Sequence, residues 1–367
     1  MERTVEIGII GLGLIGGSLA KSMKANNRHV RIVAHDRRPE DLAKATAEHV
    51  VDVAADTPGK AFAGCSIIFL CTPVAAMRGI VTALQPHLAP DCILVDTGST
   101  KREVMDLFAA LGMTDRFIGG HPMAGSERSG YGASRANLFE NAWFVLTPYL
   151  ETAEADFARV SRLVSMTGGL PVRMDADVHD RATAHISHMP HAIATLLVTT
   201  VARADGSDGD MRRLAAGGFK DLTRIASASP ELWTGICLSN REQLLRAMTS
   251  MRDGMESFTR LLTAGDESGL RGLFDEGRQW RDGLSEMRAL RIPGFSEITV
   301  DVEDKPGIIA RIATALADRE INIKNIGINN VREEDEGALV IRFETAAERD
   351  LATEVLAGHG YGVRARN

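Results

Sequence analysis

The sequence predicts an α/β protein of three domains, and three observations support this prediction. A glycine-rich turn joins a short apolar strand to a helix near the N-terminus. Strand and helix signals then alternate to about residue 175, and helical periodicity continues alone to about residue 291. The remaining segment has the order βαββαβ, which predicts a ferredoxin-like sandwich. We therefore place the domains at 1–175, 176–291 and 295–367.

Composition excludes several classes of protein. The chain has 367 residues, 44% hydrophobic and 25% charged, which is ordinary for a globular protein with a sizeable core. A net charge of −7 without a basic stripe argues against nucleic acid as a partner. No apolar run reaches the roughly 20 residues of a membrane span, and no signal-peptide pattern precedes the first strand. Four cysteines without a CxxC pair suit a reducing cytoplasm, so we expect a cytoplasmic protein.

The glycine-rich turn predicts a Rossmann-type dinucleotide-binding domain. A buried strand over Val5–Ile10 leads into a GxGxxG pattern, and a helix is predicted from Gly17 to about Ala25. In this context glycines permit the tight turn, the approach of a pyrophosphate and close helix packing, and the helix N-terminus attracts the phosphates. We assign the whole turn to the cofactor site, namely Gly11, Gly13, Leu14, Ile15 and Gly16.

The next strand indicates which dinucleotide is bound. Val30–Ala34 ends at Asp36, about 20 residues after the glycine turn, where a carboxylate accepts hydrogen bonds from the ribose hydroxyls and repels a 2′-phosphate. This favours NAD over NADP. Arg37 and Arg38 leave some use of NADP open, because guanidinium groups can hold that phosphate.

Polar residues follow the later strands at their carboxyl ends. One strand ends at Thr72-Pro73, another at Asp96-Thr97-Gly98-Ser99, and a third, Arg116–Ile118, at a glycine-flanked loop that carries His121. In an open parallel sheet the ligand crevice lies outside these ends, so Thr72 and Pro73 are assigned to the cofactor.

His121 and Ser99 are the candidate catalytic residues. An imidazole titrates near neutral pH, so at this edge it can accept a proton. No GxSxG elbow surrounds Ser99, so we interpret it as a hydrogen-bond partner that orients His121 or the reacting hydroxyl. The alternative role for Ser99 is the N-cap of the next helix, and both roles can coexist.

Four histidines cluster in the second domain, at positions 179, 185, 188 and 191. Steps of three residues rotate side chains around a helix, Pro190 perturbs the backbone, and no cysteine completes a tetrahedral set, so we expect ligand contacts and no metal. A long buried helix is predicted after them, from apolar residues at Ile193, Leu196, Leu197 and Val201.

The segment Gly217-Gly218-Phe219-Lys220-Asp221-Leu222-Thr223-Arg224 is the candidate anion site. Lys220 and Arg224 are one helical turn apart, and Arg can grip a carboxylate with two hydrogen bonds; a solvated charged face is the alternative. Ser229-Pro230 predicts the start of a further helix that carries Trp233. Amphipathic helices from Arg241 to Ala289 have more apolar surface than one small domain buries, which suggests a homodimer.

Together these segments resemble prephenate dehydrogenase, the oxidoreductase of tyrosine biosynthesis, over nearly the whole chain. The motifs are Gly11–Ser18, Asp96–Ser99, Gly120–Glu127 (GHPMAGSE), Ser187–His191 and Gly217–Asp221. The C-terminal segment resembles an ACT domain, a small-molecule sensor, through Asp304-Lys305-Pro306-Gly307.

The resemblance implies a role for each motif residue. Hydride passes from prephenate to NAD⁺, carbon dioxide is lost, His121 takes the hydroxyl proton and Ser99 aligns it. Substrate contacts are implied for Arg224, Lys220, His191, Glu127, Gly217 and Trp233. Asp304, Pro306 and Gly307 would bind an amino-acid effector, most plausibly tyrosine, between two copies of the ACT domain.

Three other functions stay open from the sequence. Arogenate, or both substrates, would fit the same fold. A 3-hydroxyacid dehydrogenase of another family would use a lysine as the proton relay. A sensor without catalytic activity could keep a vestigial dinucleotide fold.

Overall fold

The computed structural model describes residues 4–27, 29–126, 128–206, 209–289, 296–303, 305–329 and 336–366. Contacts divide the chain into two compact units, Met1–Thr263 and Ala264–Asn367. The strands of the first unit are β1 (Val5–Ile10), β2 (Val30–His35), β3 (Val53–Ala54), β4 (Ile67–Leu70), β5 (Ile93–Asp96), β6 (Phe117–Pro122), β7 (Trp143–Pro148) and β8 (Leu170–Arg173). The helices packed with them are α1 (Leu14–Asn26), α2 (Pro39–Ala47), α3 (Val74–Leu84), α4 (Arg102–Ala110) and α5 (Glu154–Met166).

The eight strands form one sheet in the order β3-β2-β1-β4-β5-β6-β7-β8. The first six strands in this order, β3-β2-β1-β4-β5-β6, pair parallel with their neighbours, as a Rossmann-type domain requires. The sheet is not parallel throughout, because β6 and β7 pair antiparallel. Between these two strands the described residues, 123–126 and 128–142, form a short 3-10 helix at Tyr131–Ala133 and no crossover α-helix, which an antiparallel pair permits.

Apolar side chains cover both faces of the sheet. Ile7, Ile9 and Leu19 belong to the core on one face, and Ile10 and Ile68 to the core on the other. Helix α1 begins at Leu14, three residues before its predicted start, because Gly16 and Gly17 are helical. A side chain at Gly17 would collide with Tyr131 and Ser134, so glycine at this position lets the helix pack closely.

The helical part of the first unit contains α6 (Ala176–Thr183), α7 (Met189–Ala204), α8 (Asp210–Leu214), α9 (Gly217–Thr223), α10 (Pro230–Ser239) and α11 (Arg241–Ala264). A turn of π-helix over Ala184–His188 joins α6 to α7. Ser229 caps α10 and Pro230 occupies its first turn, as predicted. The prediction that α7 is buried is wrong within one chain: Ala194 is its buried residue, and Leu196 is exposed.

The second unit contains α12 (Glu267–Ala289) and a βαββαβ sandwich. The elements of the sandwich are β9 (Ser296–Glu303), α13 (Ile308–Ala317), β10 (Asn325–Asn329), β11 (Glu336–Phe343), α14 (Ala346–Gly358) and β12 (Gly362–Arg366). Its antiparallel sheet has the order β10-β11-β9-β12 and packs one face on both helices. The second strand of the sandwich, β10, begins at Asn325, and Ile321 is buried in the segment that precedes it. Within the described part of the chain, no helix combines the length and apolarity needed to cross a bilayer.

Candidate active site

His121 lies within strand β6, and the prediction of a glycine-flanked loop is therefore wrong. The strand continues through Gly119 and Gly120, and His121 pairs with Val145 of β7. A side chain at Gly120 would lie 2.3 Å from the carbonyl oxygen of Asp96, so glycine is required where β6 passes the end of β5. The glycines serve close strand packing here, and they fix the imidazole on a rigid element.

Two short hydrogen bonds link His121 through His179 to Asp180 in the helical part of the unit. His121 Nδ1 is 2.7 Å from Nε2 of His179, and His179 Nδ1 is 2.7 Å from Oδ1 of Asp180. His179 and Asp180 lie on α6 and are fully buried. We name this set the His–His–Asp chain.

Asp180 also caps helix α4. Its two carboxylate oxygens accept hydrogen bonds from the backbone N–H groups of Lys101 (2.7 Å) and Arg102 (2.8 Å). Ser99 therefore does not serve as the N-cap, which the structure places at Lys101. Among the described residues Ser99 Oγ has no hydrogen-bond partner, so His179, and not Ser99, holds the ring of His121. Ser99 instead lines the large cleft described below.

A buried ion pair lies behind His121. The Lys101 ammonium donates to Asp96 Oδ2 (2.5 Å) and to the carbonyl of Gly120 (2.7 Å), and both charged side chains are 0% exposed. Burial lowers the pKa of His121 well below the ordinary histidine value, and the charges of His179, Lys101 and His188 act in the same direction. His121 is consequently a neutral imidazole near pH 7, the form that can accept a proton.

A second cluster contains the predicted substrate residues. The His191 ring stacks on Trp233 with 3.5 Å between centroids, and His188 meets the same indole edge-on at 6.0 Å. Burial lowers the pKa of His191, and the adjacent Arg224 guanidinium adds to this effect. Asn240 donates to His188 Nδ1 (3.1 Å) and to the carbonyl of Asp180 (2.8 Å), which ties this cluster to the His–His–Asp chain.

Of the two predicted cations, Lys220 and Arg224, the structure places Arg224 beside His191 of this second cluster. Helix α9 begins at Gly217, and Lys220 lies on it. Arg224 opens the 3-10 turn that follows, and both cations are exposed. Glu127 lies outside the described residues. The four clustered histidines do not converge on one point: His179 contacts His121, His188 and His191 contact Trp233, and His185 faces the carbonyl of Arg181.

The glycine turn provides the fit for a dinucleotide. Gly11 has φ +95°, and a side chain there would collide with the carbonyl of Cys71. The N-terminus of α1 has no side-chain cap, so its backbone N–H groups can bind phosphate oxygens. A cleft of about 1290 Å³ extends from here to α10, and its walls include Gly13, Leu14, Ile15, Thr72, Pro73 and Ser99.

Asp36 directly follows β2, where the adenine ribose of a dinucleotide would lie. Its carboxylate accepts from the backbone N–H groups of Leu12 (2.6 Å) and Arg38 (2.8 Å). The Arg38 side chain pairs with Asp41 one turn along α2, which occupies the guanidinium with a carboxylate.

Comparison with known proteins identifies the family. Two family models, "Prephenate dehydrogenase, nucleotide-binding domain" and "Prephenate dehydrogenase, dimerization domain", match residues 19–172 and 175–276, and the ACT domain model matches residues 296–356. The prephenate dehydrogenase of Bacillus subtilis is 34% identical over 95% of this chain and 94% of its own length. This chain belongs to the prephenate dehydrogenase family.

Solved structures agree with this assignment. The Aquifex aeolicus prephenate dehydrogenase, crystallised with hydroxyphenyl propionate and NAD⁺, has a TM-score of 0.72 and 32% identity over 76% of this chain and 98% of its own. Synechocystis arogenate dehydrogenase has a TM-score of 0.66 and 31% identity over 76% of this chain and 100% of its own. This family member is an NAD-dependent oxidoreductase.

Four buried residues of the hydrogen-bond network around His121 were not predicted from the sequence: His179, Asp180, Lys101 and Asn240. Their roles depend on burial and on contacts between distant segments. The one available signal was the histidine cluster itself, whose first member supplies the contact to His121.

The expected effector residues lie in the second unit. Asp304 is outside the described residues. Pro306 and Gly307 precede α13, and Gly307 has φ +86° with open space where a side chain would project.

Proposed function

We propose that this enzyme converts prephenate to 4-hydroxyphenylpyruvate, with loss of carbon dioxide and reduction of NAD⁺, as a step of tyrosine biosynthesis. The observation that carries this proposal is the hydrogen-bonded imidazole of His121 beside the dinucleotide cleft. The wall of that cleft includes Ala124, three residues after His121, and Asp180, which is linked to His121 through His179.

The reaction needs little chemistry from the protein beyond positioning and a proton acceptor, because aromatisation of the ring drives it. Bound NAD⁺ supplies the hydride acceptor. His121 takes the hydroxyl proton of the substrate while the carbinol carbon loses its hydride. The bond to the ring carboxylate then breaks, carbon dioxide leaves, and the electron pair of that bond completes the aromatic ring; the resulting phenolate takes up a proton.

The second cluster binds the other end of the substrate. Arg224 grips the side-chain carboxylate, with Lys220 beside it, and His191 and Trp233 form the wall against which the side chain lies. Ser99 aligns the reacting hydroxyl from the cleft wall. Two cations suit the dianion prephenate better than arogenate, whose side chain carries an ammonium group.

Arogenate is the second candidate substrate, favoured by the likeness to the Synechocystis arogenate dehydrogenase. The test compares kcat/KM for prephenate and arogenate, each with NAD⁺ and with NADP⁺. We expect the highest value for prephenate with NAD⁺. A higher kcat/KM for arogenate would make arogenate the substrate. Failure of both substrates to reduce NAD⁺ or NADP⁺ would refute the proposed function.

A homodimer and an amino-acid effector complete the proposal. Exposed apolar side chains lie on α8, α9 and α10, among them Leu214 (74% exposed) and Leu222 (69%), within the region matched by the dimerization-domain model. Tyrosine is the proposed ligand of the ACT domain, at the turn before α13. Calorimetry and inhibition assays on the full chain with tyrosine, and with phenylalanine as the control, test the effector; no heat and no inhibition would contradict it.

A further inference from the structure

His179 is completely buried between two partners, and both of its ring nitrogens are engaged. Nδ1 faces a carboxylate oxygen of Asp180 and Nε2 faces Nδ1 of His121, each at 2.7 Å. The two imidazole planes cross at 74°, so they meet edge to face and do not stack. The ring has no contact with solvent, and its position is therefore decided by these two hydrogen bonds.

The positions of the protons in the His–His–Asp chain follow from which groups can donate a hydrogen bond and which can only accept one. An ionised carboxylate only accepts, so His179 Nδ1 must carry the proton that it shares with Asp180. In a neutral ring Nε2 is then an acceptor, and His121 must donate to it from Nδ1. This leaves the Nε2 lone pair of His121 as the acceptor available to a substrate. Free imidazole side chains prefer the other tautomer, with the proton on Nε2, which cannot act as a base at that atom.

Asp180 is held in its ionised state. Burial alone would raise its pKa, but hydrogen bonds from His179 and from the backbone N–H groups of Arg102 and Lys101 lower the pKa overall. Asn240 fixes the backbone at the same residue by donating to its carbonyl. The Asp180 carboxylate of the His–His–Asp chain is thus held by three hydrogen-bond donors, and the backbone of the same residue is held by Asn240.

The other charged and titratable groups around the His–His–Asp chain have hydrogen-bond or ion-pair partners of their own. The Lys101 ammonium from the start of α4 is paired with Asp96 at the end of β5 and with the Gly120 carbonyl. His188, from the π-turn, receives its hydrogen bond from Asn240. The Arg102 guanidinium pairs with Asp106 and Asp177 at the surface. None of these hydrogen bonds competes for the two nitrogens of His179.

From this geometry we infer that His179, held by Asp180, is a positioning residue that keeps His121 in the tautomer protonated on Nδ1 and so presents Nε2 as the base. The inference rests on the proposed function of His121. When His121 takes a proton at Nε2, the new imidazolium keeps its Nδ1–H bond to His179, and the Asp180 carboxylate balances the charge through that ring. No second proton transfer is needed.

Two substitutions of His179 separate orientation from packing. In His179→Leu the acceptor is lost, and we expect kcat to fall about 10- to 100-fold, less than the roughly 10⁴-fold loss when the tautomer is inverted in a Ser-His-Asp triad. In His179→Gln the amide oxygen can occupy the place of Nε2, and kcat should recover to within about 10-fold of the native enzyme. KM for prephenate and for NAD⁺ should change less than about two-fold in both. His185→Leu, an exposed histidine in the same segment, is the control and should match the native enzyme.

Nitrogen NMR of the ¹⁵N-histidine-labelled full chain reads the tautomer directly, without substrate. The His121 signals are assigned by their absence from His121→Asn. We expect a protonated Nδ1 and an unprotonated Nε2 in the native protein and in His179→Gln, and a shift toward protonated Nε2 in His179→Leu. A native His121 protonated on Nε2, or a His179→Leu variant that keeps both the tautomer and kcat, would overturn the inference. The expected tautomers in a protein inactive on prephenate would support the inference and refute only the proposed function.

Discussion

The two ends of the site are built differently. At the end proposed to accept a proton, His121, His179, Asp180 and the Lys101–Asp96 pair are joined by short hydrogen bonds, and all but His121 are fully buried. At the end proposed to bind the substrate anion, Lys220 on α9 and Arg224 in the following 3-10 turn are exposed, and an exposed leucine also lies on α9. The residues around His121 are buried by contacts within one chain, whereas Lys220 and Arg224 lie on a surface that is exposed in a single chain. Chemistry and substrate affinity should therefore respond separately to mutation.

The largest effect is expected at the buried end, for His121→Asn. Removal of the base should lower kcat by about 10²–10⁴-fold, the usual contribution of a positioned base, with little change in KM. Steady-state NADH formation measures both constants. His87→Asn, at an exposed histidine, is the control. Near-native turnover in the His121 variant would remove this residue from the chemistry.

Lys101→Met tests how strongly the buried end is held together. Loss of the ammonium leaves the Asp96 carboxylate buried without its partner, which should lower the free energy of unfolding by about 3–5 kcal/mol. Chemical denaturation measures this change. Lys60→Met, at an exposed lysine, should stay within about 0.5 kcal/mol of the native protein. Equal stability of the two variants would show that the ion pair does not support the fold.

Arg224→Ala addresses the exposed end. Loss of a charged hydrogen-bonded contact of about 1.5–3 kcal/mol should raise KM for prephenate about 10- to 100-fold and leave kcat nearly unchanged. Arg203→Ala, an exposed arginine on α7, is the matched control. If KM stays the same and kcat falls, the division between the two ends is wrong.

Leu222→Asp tests whether a second copy covers the exposed end. A carboxylate in an apolar interface should weaken self-association at least about 10-fold, or about 1.4 kcal/mol. Light scattering over a range of concentrations measures the dimer fraction. Leu150→Asp, at a fully exposed turn after β7, should dimerise like the native chain. A monomeric native protein would contradict the proposed dimer.

The smallest effect is a shift in pH dependence. Because the pKa of His121 is lowered, the base stays neutral on acidification through the ordinary histidine value of about 6.5, and kcat should fall only at lower pH. In Lys101→Met one of the nearby positive charges is gone, so this acid limb should move to higher pH. A native limb at or above 6.5 would mean that His121 is not in the environment described. The measurement is kcat at saturating substrate across pH.

Local patterns predicted most of the fold, because they depend on neighbouring residues. Periodicity and turn chemistry predicted the glycine turn, the alternation of strands and helices in the first domain and the βαββαβ order. They did not predict the antiparallel β6–β7 pair, because two glycines in sequence, Gly119-Gly120, indicate the end of a strand unless the close approach of Asp96 is known. The hydrogen-bond partners of His121 were missed for the same reason. His179 is 58 residues away along the chain, and only the packing of α6 against β6 and α4 brings it into contact.

Because Asp180 on α6 caps α4, a local separation of these two helices should be enough to begin thermal inactivation. One carboxylate both closes the end of α4 and fixes the ring that aligns His121. If α6 separates briefly from α4, the base loses its alignment while the hydrophobic core on both faces of the sheet stays intact. On gentle heating, turnover should therefore decline reversibly before the protein melts, because such partial openings require less free energy than global unfolding.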